Sequence, residues 1–591
     1  MSESFLVRYM GMNPIGLKSR SGPFTSSVFS MDFSGMRSRA TSVISSANAK
    51  TKLHLTQPKS WKLPKQHSSI APTGVWTNSD QDPVPLEKRT WTSTTFMTYW
   101  FSDLVTVSGW ATASSILTTG LSATDAILIT LLAGICNAVP TVLNGAIGAD
   151  LHVPFPVAIR ASYGYWLSYF CVISRAVLAM FWFGVQSAGG GQCVSAMLIA
   201  IWPSYRHIPN TLPAFIGITS QGMVSYFVYW LIQTPLLLIP THKLQLIFNL
   251  KAVLITPMAL SMVIWISVKA GSQSANFFNV PATVSGSTRA WLWLANLTSV
   301  TGAYTTLTVN IPDFSRFSKS QESNLWQLPA IPFFKTIVGI FGIVAAGASK
   351  ELYGEALWNP LDIVDKWQGS PGGRAAAFFC GLIWMLAQIS VNISANGVSF
   401  ANDITSLLPK WFNVRRGAIL VSILGGWVLC PWIILASASS FLNFMSAYAI
   451  FMAPIAGILM TDYWIVKRRK YDVPALYDPH GIYRFGWGGN WRALVTTLVV
   501  IVPLLPALGN KVTPGRVSVP IGLKHLFDFN WLYGFMSSVV MYYVLNVCFP
   551  HSATLIAEMV PGDGYVIDGV ASGFDSPVTV EHIHMKEPNT V

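Results

Sequence analysis

The chain has 591 residues, of which 52% are hydrophobic and 11% charged, and its formal net charge is +13. Soluble domains carry about 25% charged residues, so a string of soluble domains is excluded in favour of one polytopic membrane body. The basic residues cluster in the N-terminal tail and in short loops between apolar runs, which excludes nucleic-acid binding and fits the positive loops of a membrane protein.

Residues 1–90 are rich in Ser, Pro, Lys and Arg and have no long apolar run, so they read as a mostly disordered tail. The first 50 are Arg- and Ser-rich and poor in acids, as transit peptides are, but the amphipathic pattern is weak and a cytoplasmic tail is the expectation. Twelve apolar segments follow, near 97–119, 125–147, 166–200, 223–240, 246–268, 291–311, 330–348, 375–399, 417–435, 438–463, 491–509 and 528–549. Each has about the length needed to cross a bilayer. An even number puts both termini on one side. Loop charges on that side comprise Lys88 and Arg89, Arg160, Lys243 with Lys251, Arg316 with Lys319, Lys410 with Arg415 and Arg416, and the run Lys467–Lys470. The opposite loops are less basic, so both termini are expected in the cytoplasm. The six cysteines are scattered, show no ligand spacing and read as small buried apolar residues.

The first and sixth spans share a local pattern: Ser108-Gly109-Trp110-Ala111-Thr112 and Thr301-Gly302-Ala303-Tyr304-Thr305. Their positions are equivalent if a five-helix unit is repeated in inverted orientation. Transporters of that plan bind substrate near the midplane, where two helices are broken. Glycine and small hydroxyl residues suit such breaks, which need protein or a wet cavity to satisfy the backbone.

Polar residues within spans are functional candidates, with helix–helix hydrogen bonding as the alternative. Trp182 and Gln186, in FWFGVQSAGGG, lie four apart on one helix face. An indole to stack on and an amide offering donor and acceptor suit a planar heterocycle with amide-like edges; structural packing is the competing explanation. Gly189-Gly190-Gly191 reads as close helix packing. The eighth span carries Gln388, Ser390, Asn392, Ser394, Asn396, Ser399, Asn402 and Asp403, too many polar groups for a lipid-facing helix, so one face is expected to line a cavity. Asp313 and Arg316 are candidates to pair at the inner mouth, as a gate or a helix-end ion pair. Phe441, Met445 and Tyr448 share one face of the tenth span, a packing stripe or a gate. His152 reads as structural. There is no Walker A loop, HExxH or nucleophile elbow, so no enzyme activity, ATP drive, metal or cofactor is expected.

The stretches NSDQDPVPLEKRTW (78–91), GAIGADLHVPFPVAIRASYG (145–164), FWFGVQ (181–186), NIPDFSRF (310–317), ISANGVSFANDI (393–404) and APIAGILMTDYW (453–464) together resemble the nucleobase-cation-symport-1 family, most closely its fungal branch of uracil, allantoin and uridine permeases. The resemblance spans about 78–550. It implies an all-α fold of twelve transmembrane helices: a 5+5 inverted-repeat core of the leucine-transporter type over 91–470 and two extra helices over 471–550. The tails at 1–90 and 551–591, expected in the cytoplasm from the loop charges, are not covered by it. It implies that Trp182 stacks on the substrate, that Gln186 and Asn396 hydrogen-bond to it, and that Tyr304 stands near the place of a second stacking aromatic. Phe441, Met445 and Tyr448 resemble a gate helix.

The cation-site positions of the sodium-coupled bacterial relative correspond to Ala387, Ser390 and Val391. Val391 lacks a hydroxyl, so a coupling proton is expected rather than sodium, with Asp403 and Asp313 as candidate carriers. The resemblance implies proton-coupled uptake of a uracil-, allantoin- or uridine-like ring at the plasma membrane. The alternatives are a same-fold importer of thiamine or nicotinamide riboside, and a non-transporting receptor or scaffold. Lysines of the N-tail are candidate targets of a ubiquitin ligase.

Overall fold

The computed structural model describes residues 61–65, 68, 70–239, 244–271, 278, 280–513 and 516–562. Residues 1–50, the tail lysines up to Lys59 and the C-tail beyond Gly562 lie outside the described residues. The chain divides into Met1–Lys62 and Leu63–Val591, and the elements below belong to the second unit. Among the described residues the structure is helical, with only two isolated bridges, Trp91 to Ser318 and Asp472 to Val560.

The principal helices are α1 (Ser93–Leu104), α2 (Val107–Ser114), α3 (Ala123–Leu151), α4 (Ser168–Ile201), α5 (Ser220–Leu236), α6 (Leu244–Ala270), α7 (Gly286–Gly302), α8 (Thr305–Asn310), α9 (Gln327–Tyr353), α10 (Pro371–Val391), α11 (Ser399–Leu407), α12 (Val414–Ile423), α13 (Ala438–Thr461), α14 (Trp491–Ile501), α15 (Leu505–Val512) and α16 (Asn530–Cys548). Among the described residues, nine helical stretches are long and apolar enough to cross a membrane. The segments near 97–119, 291–311 and 417–435, also expected as spans, fold as interrupted helices: α1/α2, α7/α8, and α12 followed by a π-helical turn and the short helix Pro431–Ala436.

The first interruption falls at Val105 and Thr106. Thr106 is extended (φ −140°, ψ 168°), and its hydroxyl accepts from Gly109 N at 2.9 Å, capping the start of α2. The break therefore precedes the Ser108–Thr112 motif rather than falling within it. Gly109 serves the break by clearance, because a Cβ there would overlap the Leu104 carbonyl. The second interruption lies within its motif, at Ala303 and Tyr304 (Tyr304 φ −117°, ψ 6°).

Backbone carbonyls freed in hydrocarbon need partners. At the end of α7 each comes from a different helix. Lys335 on α9 donates to Val300 O at 2.9 Å, Asn137 on α3 to Thr301 O at 3.0 Å, and Tyr448 on α13 to Gly302 O at 2.7 Å. Between α10 and α11 the chain passes through seven π-helical residues, Asn392–Val398, a distortion frequent at functional sites.

Helix α4 runs unbroken through FWFGVQSAGGG. Its glycines are there for approach: a Cβ on Gly190 would sit inside the Tyr229 ring, and one on Gly191 would lie 2.9 Å from Tyr226 Cα, both on α5. Packed against other glycines are the Gln388 amide (Gly189) and Pro431 (Gly184).

Four sequence expectations need correction. Lys251 is no loop charge: it is fully buried on α6, with its ammonium on the Ser102 carbonyl. The last part of the expected tail, residues 70–91, is ordered against the body, with Tyr477 Oη donating to Gln81 O at 2.6 Å and Gln81 Nε2 to Asn402 O at 3.3 Å. Cys430 and Cys548 are exposed rather than buried. Asp313 and Arg316 form no carboxylate–guanidinium pair. The Asp313 carboxylate accepts from Phe155 N at 3.0 Å and Asn310 Nδ2 at 3.1 Å, while Arg316 reaches the carbonyls of Asp313 and Asp80. The short spacing turns Arg316 back onto its own helix turn, and the 75–91 segment supplies its other acceptor. His152 ends α3 in the left-handed conformation (φ 56°) with Nδ1 2.9 Å from Arg316 O, the structural place expected of it.

Candidate functional site

A cavity opens between the two broken helices, α4 and the π-helical segment. Trp182, Gln186, Tyr304 and Asn396 all line it, together with Asp103, Ser108, Thr112, Arg175, Asn310 and Val391. Four residues named on sequence grounds thus converge from three separate parts of the chain. They converge because α4 presents positions 182 and 186 one turn apart, while the α7/α8 break turns Tyr304 out of the helical path.

Trp182 is held by its edge. Its Nε1 donates to Tyr448 Oη at 2.9 Å, and Phe441, Phe444 and Tyr448 approach it in T-shaped geometry at 6.3, 5.8 and 6.4 Å. Gln186 is engaged at both ends. Its Nε2 donates to Ser108 Oγ at 3.0 Å, and its Oε1 accepts from Gln388 Nε2 at 2.7 Å. Gln388 Oε1 in turn accepts from Val107 N at 3.3 Å, at the first turn of α2. Gln186 thus bonds to the first turn of α2 through Ser108, so a ligand that displaces Ser108 from Gln186 also frees α2 at that contact. Asn396 donates to Asn392 Oδ1 at 2.9 Å, and Asn392 bonds onward to Phe183 O, Ser187 and Gln233. The cavity amides bond to other amides, Gln186 to Gln388 and Asn396 to Asn392.

The α13 stripe packs over this assembly. Met445 Sδ accepts from Thr112 Oγ1 at 3.8 Å, Tyr448 bridges Trp182 to Gly302, and Phe441 stacks on Trp358 at 6.2 Å. Gly302 gives that contact its closeness, since a Cβ there would overlap the Met445 carbonyl.

Of the candidate cation-site positions, Val391 faces the cavity and Ala387 is fully buried. Ser390 Oγ lies 3.1 Å from Ser102 Oγ, whose own carbonyl holds the Lys251 ammonium. Lys251 and Asp103 interact electrostatically. The Lys251 amine therefore stands beside Ser390, one serine away.

The floor is a second polar network. Arg175 Nε donates to Asp403 Oδ2 at 2.6 Å in a fully buried pair, and Arg175 also reaches Ser399 O. Asn310 Nδ2 bridges Ser399 Oγ at 2.8 Å and Asp313 Oδ2 at 3.1 Å. Asp313 and Asp403 do not line the cavity, whereas Arg175 does. Sequence reasoning named Gln388 only as one of the polar residues of the eighth span, and it missed Arg175, Asp103 and Lys335. The signal was present for the three charges, since an ionisable residue inside an apolar run is a site hypothesis by default.

Residues 83–534 match the family described as permease for cytosine/purines, uracil, thiamine, allantoin. An uncharacterised permease of Schizosaccharomyces pombe is 36% identical over 82% of this chain and 86% of its own length. The allantoin permease of Saccharomyces cerevisiae is 32% identical over 83% of this chain and 78% of its own. In fold, the chain is similar to Mhp1, a nucleobase-cation-symport-1 transporter solved in a closed conformation with bromovinylhydantoin bound. The TM-score is 0.65 at 19% identity, over 80% of this chain and 97% of that one. An integral membrane body of permease-like sequence and Mhp1-like fold, with its cavity at two broken helices, is thus a member of the nucleobase-cation-symport-1 family of transporters.

Proposed function

We propose that this transporter imports a small uracil-, allantoin- or uridine-like ring across the plasma membrane, coupled to protons, by alternating access. Its twelve spans would leave both termini in the cytoplasm. The observation that carries this reading is the convergence of Trp182, Gln186, Tyr304 and Asn396 on one cavity between broken helices. An indole and a phenol offer stacking faces, and two carboxamides offer donor–acceptor edges. Proton coupling is supported by the Lys251 ammonium at Ser102, beside Ser390. A lysine there carries the positive charge that a bound metal cation would otherwise supply.

Radiolabelled uptake in a permease-deficient yeast strain, with uracil, uridine, allantoin and thiamine at pH 5 and pH 7, tests the reading. Uptake of one ring that rises at pH 5 and ignores sodium is expected. Sodium-dependent uptake would overturn the coupling, and no uptake of any ring would overturn the transport reading. Thiamine is the second reading, because the family description names it and Asp103 places a carboxylate on the cavity wall.

A further inference from the structure

Lys335 lies on α9 behind Tyr304 and is 3% exposed. Its ammonium donates to Asn137 Oδ1 at 2.7 Å and to Val300 O at 2.9 Å, and stands 4.7 Å from the centroid of the Tyr304 ring. All three partners are electron-rich acceptors, which suits the charged form. Among the described residues no carboxylate pairs with it.

The other two cations at the cavity have acidic counterparts: Arg175 is paired with Asp403, and Lys251 interacts with Asp103. Lys335 is the cation beside the site that lacks an acid. An unpaired buried charge is expensive. Capping Val300 O does not demand it, since a neutral amide is also a donor.

We propose that Lys335 is the residue that sets the charge preference of the site: it excludes positively charged rings and restricts the substrate to neutral or anionic heterocycles. This rests on the transport reading above and narrows it. Three effects act together. A positive charge one aromatic ring away from the ligand, at an effective dielectric near 20, disfavours a cationic ring by roughly 30-fold. The carbonyl end of α7 would otherwise present the negative pole of a helix to the cavity, and the ammonium neutralises it. It also draws the π density of Tyr304 toward itself, weakening any attraction of that ring for a ligand cation.

The experiment uses the full-length protein in nanodiscs. Equilibrium binding is measured for uracil, uridine and allantoin as neutral probes and for thiamine as the cationic probe, in wild type, Lys335→Met, Lys335→Gln and Lys335→Arg. In wild type, at least one neutral ring is expected to bind at least tenfold more tightly than thiamine. Met and Gln should shrink that ratio at least tenfold, and Arg should preserve it. A residue that merely caps Val300 O would weaken all four ligands equally and leave the ratio unmoved, overturning the proposal. Thiamine binding wild type as tightly as every neutral ring would also overturn it while leaving transport intact. Failure of wild type to bind any probe would instead overturn the transport reading, and the proposal with it. If the Met and Gln variants do not fold, Asn137→Asp, which gives the Lys335 ammonium an acidic partner, should shrink the same ratio at least tenfold, and an unmoved ratio would overturn the proposal.

Discussion

Tyr448 accepts the indole N–H of Trp182 at 2.9 Å and donates its own hydroxyl to Gly302 O at 2.7 Å. One phenol therefore ties the proposed stacking residue on α4 to the broken end of α7, through the helix that covers the site. Tyr448→Phe removes both bonds and keeps the ring. Each is worth about 1 kcal/mol, so uptake kcat/KM should fall ~10- to 30-fold with normal amounts of protein at the cell surface. Unchanged kinetics in the Phe variant would mean that the bridge does not position Trp182.

Gln186 and Asn396 are predicted to be needed for binding rather than folding. Each is a cavity-lining amide whose present partners are other polar side chains. Gln186→Ala and Asn396→Ala should abolish uptake while surface expression, read by fluorescence of a tagged chain, stays near wild type. Gln388→Ala belongs with them. It frees Gln186 Oε1 and Val107 N together, so at least a tenfold rise in KM is expected. Surface protein with wild-type KM in all three would disconnect the amides from the substrate.

The glycine run gives a graded prediction. At Gly190 an added methyl meets the Tyr229 ring, fully buried on α5, whereas at Gly189 it meets only the movable Gln388 amide at 2.7 Å. Overpacking a rigid core contact costs about 1–3 kcal/mol or more. Gly190→Ala should therefore lose most of the surface protein. Gly189→Ala should reach the membrane yet transport poorly, because the displaced amide is the one that holds Gln186. Equal surface levels in the two variants would contradict this ordering.

What was legible beforehand follows from the range of each interaction. Apolar runs set the spans, and the i, i+4 spacing of Trp182 and Gln186 fixes a shared face whatever the neighbours do. Even Gly189–Gly191 announces close packing, although nothing local names Tyr229. Pairings between distant segments were not legible. Arg175 and Asp403 are 228 residues apart, and no local rule joins them. The near spacing of Asp313 and Arg316 suggested an ion pair that the surrounding backbone donors and acceptors outcompete. The Ser108–Thr112 motif marks the neighbourhood of the first break but not its position. Thr106 supplies the cap that restarts the helix, and Gly109 only makes room. Lys251 was mistaken for a loop charge because its helix begins seven residues earlier, close to the polar connection that precedes it.

Lys251 yields the prediction that separates proton from metal coupling. Its ammonium bonds to the Ser102 carbonyl next to Ser390, and Asp103, one residue on, faces the cavity. If that charge changes during transport, a proton arriving or leaving alters the attraction between α6 and the broken α1, and substrate at Asp103 senses it. Lys251→Met keeps the length and removes the charge. In proteoliposomes carrying a pH-sensitive dye, substrate-driven proton entry should fall to background, and uptake should lose its dependence on external pH. Asp103→Asn should move both readouts in the same direction, since it removes the other half of the interaction. Wild-type proton flux in Lys251→Met would exclude this lysine as the coupling group and return attention to Asp403 and Asp313 on the floor.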